Sequence, residues 1–210
     1  MDTLLTLLSE VNHPRSTPPH PPRLAVIAGP HAASGAMLQL AAHLALRGPL
    51  RVLDGGNRFN AYHVARALRH LKASDPTPAL ARIQVARAFT CYQMAALING
   101  ETSFDKTSFG EADARTPTSP PAETSFRATP DAFPLLILDL LDTFYDESAP
   151  LPERRRLAQG CLARLRQSSQ QSVIVISLRP PPPPLADPTG LFELVQAAAD
   201  LLLFSEMNFA

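Results

Sequence analysis

Leu24-Ala25-Val26-Ile27-Ala28 is an apolar run that ends in the small-residue stretch Gly29-Pro30-His31-Ala32-Ala33-Ser34-Gly35 and continues as Ala36-Met37-Leu38-Gln39-Leu40. A strand-length apolar run, a turn of small residues and then an apolar segment of helical length make a strand–turn–helix unit. The helix is expected to reach about Arg47, where Gly48-Pro49 stops it: glycine takes the cap geometry and proline cannot continue the ladder.

The same alternation recurs along the chain. A second strand, Leu50-Arg51-Val52-Leu53, ends in Asp54-Gly55-Gly56, and a helix from about Asn60 to Lys72 carries Val64, Leu68 and Leu71 on one face. Asp75-Pro76-Thr77-Pro78 breaks the chain before a third strand, Ile83 to Phe89, and a helix from Cys91 to Ile98. A fourth strand spans Leu135 to Asp139, followed by a helix from Pro152 to about Gln167 and a fifth strand from Val173 to Ser177. Asp187-Pro188 supplies an N-cap and first-turn proline for a helix with Leu191, Leu194 and Val195, and a sixth strand covers Asp200 to Phe204. Continuous apolar strands alternating with helices predict an α/β fold, a three-layer α/β/α sandwich around a mostly parallel sheet of five to six strands. Ligands of such sheets bind beyond the carboxyl ends of the strands. That directs attention to Gly29–Met37, Asp54–Arg58, Phe89–Gln93, Asp139–Asp142 and Ser177–Arg179.

Composition bounds the rest. With 210 residues, 45% of them hydrophobic, the chain can bury the core of one α/β domain and leaves little room for a second. Lys+Arg (19) equals Asp+Glu (19), which argues against a uniformly polybasic coat for nucleic acid or membrane and leaves room for a local patch. Proline, at 22 residues, exceeds ordinary usage of about 5% and must concentrate in linkers, because it costs backbone hydrogen bonds inside helices and strands. Accordingly, residues 1–22 read as an amphipathic helix with Leu4, Leu5, Leu7 and Leu8 followed by a stiff polyproline connector from Pro14 to Pro22. Residues 23–210 read as the α/β domain, interrupted at 99–132 by a polar, aperiodic insertion of disordered composition.

Cys91 and Cys161 match no metal or redox spacing, and the six histidines form no paired ligand framework, so neither a disulfide scaffold nor a metal site is expected. No apolar run reaches the ~20 residues of a membrane span, and the first residues lack the positive charge of a secretory leader. A soluble protein of the cytoplasm, or of the nucleus in a nucleated cell, is the expectation.

The turn after the first strand is the place where a phosphate-binding loop, G-x-x-x-x-G-K-[ST], would sit. Its amides cradle phosphate, its lysine reaches the β- and γ-phosphates and its hydroxyl holds Mg²⁺. With Gly35 as the second glycine, Pro30 takes the first glycine position, Ala36 the lysine and Met37 the hydroxyl, while Gly29 stands one residue early. Three readings stay open: a small turn for close packing, residual phosphate binding through Gly29, Ser34, Gly35, Ala36 and Met37, or a competent NTPase in which Ser34 or Asp139 helps hold the metal. A dinucleotide-binding reading would use Asp54 on a ribose, but its G-x-G-x-x-G is absent.

The order of motifs resembles the RecA/RadA recombinase superfamily of ATPases. Asp54-Gly55-Gly56-Asn57-Arg58-Phe59 is similar to the family's D-x-E-G-x-F, with Gly56 at the catalytic glutamate, and Val85-Ala86-Arg87-Ala88-Phe89-Thr90-Cys91-Tyr92-Gln93 is similar to its ARAF…Q segment. Leu135 to Asp139, followed by Asp142-Thr143-Phe144-Tyr145-Asp146-Glu147, resembles the Walker B strand, and Leu178-Arg179 falls near the family's γ-phosphate-sensing Asn-Gln pair. The similarity covers roughly residues 24–98 and 134–204. It implies a RecA-like P-loop NTPase sheet that keeps Asp139 but lacks the lysine, the hydroxyl, the catalytic glutamate and the sensor. Such a paralogue is expected to bind ATP and Mg²⁺ weakly if at all, to need no cofactor, and to act as an accessory or assembly factor in DNA recombination or repair. The expected partner is a recombinase or a paralogue, with single-stranded DNA as a further ligand.

Arg154, Arg155 and Arg156 are the candidate DNA contacts, since phosphate binding asks for positioned cations; the competing reading is a solvated helix face over Leu157, Leu162 and Leu165. Pro180–Pro184 occupies the region of the family's DNA-contacting loop but lacks N–H donors, which reads as a spacer or docking segment and argues against strand exchange. A protein-interaction module with no DNA role is the remaining alternative.

Overall fold

The structure, a computed structural model, describes residues 24–71, 73–100, 133–180 and 189–204. The strands are β1 (Leu24–Ala28), β2 (Leu50–Asp54), β3 (Ile83–Arg87), β4 (Leu135–Leu138), β5 (Ile174–Leu178) and β6 (Leu201–Phe204). They pair in the order β3-β2-β4-β5-β1-β6, and every pairing is parallel, as the continuous apolar strands imply.

Helices cover both faces. On one side lie α1 (Ser34–Arg47), α2 (Ala61–His70) and the short α3 (Thr77–Leu80), packed over Ala25, Ile27, Val52, Leu136, Leu138 and Val175. On the other lie α4 (Cys91–Asn99), the short α5 (Asp142–Tyr145), α6 (Leu151–Ser168) and α7 (Leu191–Ala198), packed over Leu24, Val26, Leu53, Ile137, Ile174 and Ile176. This is a three-layer α/β/α sandwich, consistent with a RecA-like arrangement. Alternate residues of one strand enter opposite layers because successive side chains of a strand point to opposite faces.

Several boundaries differ from the sequence reading. The third strand stops at Arg87 rather than Phe89, because the chain turns and the Phe89 N–H donates to Gln93 Oε1 at 2.9 Å. The fourth stops at Leu138, since Asp139 adopts φ +53°, outside the β region. The fifth runs one residue later, so Ser177 lies inside the strand. The last helix starts at Leu191 behind Gly190, whose φ of +63° suits glycine, and Asp187-Pro188 lies outside the described residues. So do the N-terminal arm, the 101–132 part of the insertion and Pro181–Pro184.

The topology also locates the crevices. The helices after β1 and β2 lie on one face and those after β3, β4 and β5 on the other, so the loops diverge between β3 and β2, between β2 and β4 and again between β5 and β1. Such switch points at the carboxyl edge are where open α/β sheets bind ligands.

Candidate functional site

Asp54 ends β2 and organises the turn behind it. Its Oδ1 accepts the Arg58 N–H at 2.7 Å and its Oδ2 the Phe59 N–H at 3.0 Å, closing Gly55-Gly56-Asn57 into a tight loop with Asn57 at φ +52°. Arg87, at the end of the neighbouring β3, places Nε 3.3 Å from Asp54 Oδ2. The Gly55 N–H donates to the Leu138 carbonyl at 2.9 Å, tying this turn to the end of β4.

Asp139 follows β4 and is 1% exposed. Its N–H donates to Ser177 Oγ at 3.0 Å, which fixes the left-handed turn against β5. Two guanidinium groups converge on its Oδ2: Arg58 Nε at 3.3 Å, from the β2 turn, and Arg179 Nη2 at 3.5 Å, from the end of β5. Arg179 also pairs with Asp142 at the start of α5. Burial pushes the Asp139 carboxyl above the usual carboxylate range; Arg179 opposes this, Asp142 adds to it and Arg58 opposes it. The group is a charge-balanced network: Asp54, Asp139 and Asp142 against Arg58, Arg87 and Arg179.

Gly56, where the sequence resemblance leads one to expect the position of a catalytic glutamate, lies against that carboxylate. A Cβ built there would sit 2.6 Å from Asp139 Cβ and 2.7 Å from its Oδ2, far inside contact distance. The space needed by any side chain at position 56 belongs to Asp139.

The loop after β1 sits at the switch point between β5 and β1. Gly29 is extended and its N–H donates to the Leu178 carbonyl at 3.1 Å. His31, Ala32 and Ala33 all have left-handed φ, between 49° and 53°, a geometry that costs ~1 kcal/mol or more for each non-glycine residue. The burial of Ala32 and Ala33 opposes that cost. Ser34 and Gly35 open α1 half-buried, whereas Ala36 and Met37 are buried. Met37, at the position of the metal-binding hydroxyl, joins the apolar layer under α1. The strand order puts this loop and Asp139 on opposite sides of β5. This donor set does not match a Mg²⁺-nucleotide: the lysine and hydroxyl positions are apolar, and the strand-end carboxylate already holds two cations.

The three arginines of α6 part company. Arg154 is buried and its Nη1 donates to the Phe144 and Tyr145 carbonyls at 3.1 and 3.2 Å, capping α5. Arg155 is exposed with Nη2 over Gly190, and Arg156 forms a bidentate pair with Glu153 at 2.7 and 2.9 Å. Arg154 is thereby removed from any cationic surface of this helix.

Sequence reasoning placed Arg58 and Arg179 at strand ends without pairing them with Asp139. Their partnership depends on β2, β4 and β5 being neighbours, which strand order alone decides. No protein-family model matches the chain, and no curated protein matches it.

Proposed function

We propose that this protein is a degenerate member of the RecA/RadA recombinase superfamily that does not hydrolyse ATP effectively and serves as an accessory or assembly factor in DNA recombination or repair. The supporting observation is the fate of Asp139: the carboxylate that would support a metal-bound water is held by Arg58 and Arg179, and it fills the space beside Gly56. A carboxylate paired in this way has given its charge to internal cations and has little left to attract a metal. Its partner is an active recombinase or another paralogue, in the cytoplasm or nucleus, with single-stranded DNA as a further ligand. Among the described residues no helix is long and apolar enough to cross a membrane, in keeping with such a location.

The deciding measurement is a titration of Mg-ATP that follows affinity and phosphate release together. Weak or undetectable binding and no turnover are expected. Turnover that survives purification and disappears in Asp139→Ala would overturn the reading.

A further inference from the structure

The neutral chain conceals an uneven distribution of charge. Between residues 24 and 71 the cations are Arg47, Arg51, Arg58, Arg66 and Arg69, and the only acid is Asp54, which is buried and already paired. The helix α2 concentrates this excess. At 100° per residue, Tyr62, His63, Arg66, Arg69 and His70 fall within about 60° of one line along the helix. All five are exposed, while Val64 and Leu68 point the opposite way into the core.

Neither α1 nor α2 carries a carboxylate, and among the described residues Arg66 and Arg69 make no ion pair. Five other arginines behave differently. Arg58, Arg87 and Arg179 serve the Asp54–Asp139 network, Arg156 pairs with Glu153 and Arg166 with Asp200. Among the described residues no carboxylate neutralises the stripe on α2.

At its N-terminal end the stripe carries an aromatic platform. Tyr62 is 68% exposed and meets the His63 ring edge-on, with centroids 6.1 Å apart and planes at 71°. Asn60 fixes both residues by accepting their backbone N–H groups at 2.9 and 3.4 Å.

We propose that the exposed face of α2 binds single-stranded nucleic acid, with Arg66 and Arg69 on phosphates and Tyr62 stacked on a base. The inference rests on the DNA role proposed above and assigns it a surface other than α6. Cations along a track plus an exposed aromatic ring are what sequence-tolerant single-strand binding requires. The stripe is ~12 Å long, about three nucleotides at a ~3.4 Å rise. An acidic protein would use the arginines but would have no need of the ring.

The test is fluorescence anisotropy of a labelled oligo-dT of about 16 nucleotides with the full chain, between about 50 and 200 mM salt. Arg66→Ala/Arg69→Ala should weaken binding about tenfold or more and make the log–log salt slope shallower by about 1.4, two phosphate contacts at about 0.7 each. Tyr62→Leu should weaken binding about fivefold or more with the slope unchanged. Both sets of residues are exposed, and an unaltered thermal midpoint establishes that the variants fold.

The proposal is overturned if the wild-type chain does not bind at about 50 mM salt, or if the double variant keeps the wild-type slope. It is equally overturned if a duplex of the same length binds more tightly, or if polyglutamate competes as well as oligo-dT and Tyr62→Leu has no effect. Loss of slope in Arg155→Ala/Arg156→Ala, with none in the α2 variant, would move the DNA contact to α6 and leave the proposed function standing. Mg-ATP turnover, measured without DNA, tests that function separately.

Discussion

Asp139 combines deep burial with two cationic neighbours, and these act on its proton in opposite directions. Burial dominates, so the folded protein holds that proton more tightly than the unfolded chain does. For a carboxyl raised in this way, the stabilising contribution is full below the unfolded value near 3.8 and is lost as pH rises through the higher folded value. Asp139→Asn should therefore be no less stable than wild type at neutral pH, because Arg58 and Arg179 are partly exposed and can turn to water. Its stability advantage should shrink on acidification. Thermal midpoints of both proteins from neutral pH down to about pH 4 check this; a constant difference would show that Asp139 does not titrate in the expected sense. Beside it, Gly56→Ala should destabilise by about 1–3 kcal/mol, since the new Cβ would overlap Asp139 and the backbone of a tight turn must move. Urea unfolding reads that cost directly.

At the scale of elements, α2 and α4 start where a side chain satisfies their first amides. Thr90 Oγ1 accepts the Gln93 N–H at 3.2 Å at the head of α4, so Thr90→Ala should cost about 1 kcal/mol in urea unfolding. Cys91 and Cys161 are both buried on the α4–α6 side of the sheet. Burial raises both thiols, Cys161 to about 12, with the neighbouring Cys91 adding to it. Both should resist an aromatic disulfide reagent at neutral pH in the native protein and react at once in denaturant; rapid native-state labelling would contradict the packing. Periodicity announced these long helices well. It missed α3 and α5, because four residues span barely one turn and leave no repeat to see. It also read β3 like the other strands, although Gln84 and Arg87 within it are the mark of the half-exposed edge it forms.

Over the whole molecule, two apolar layers share one sheet, so neither can melt alone. Met37→Ala, in the layer under α1, should cost about 2–5 kcal/mol, and Phe144→Ala, in the opposite layer, about 3–5 kcal/mol. Each should shift a single unfolding transition seen alike by circular dichroism and by tyrosine fluorescence. Separate transitions for the two variants would mean that the layers fold independently.

What residue order alone determined is the set of units: six apolar strands, the helices between them, the parallel sheet they imply and the poverty of phosphate-handling groups at Gly29–Met37 and Gly56. These properties are local, carried by periodicity, turn residues and the presence or absence of a lysine or glutamate. Tertiary structure decided which side chains meet. It brought Arg58 and Arg179 to Asp139, turned Arg154 inward and left Arg66 and Arg69 outside. The physical reason is that a charge acts through distance and burial, and both depend on strand order and helix face, which bring together residues as far apart in the chain as 58 and 139.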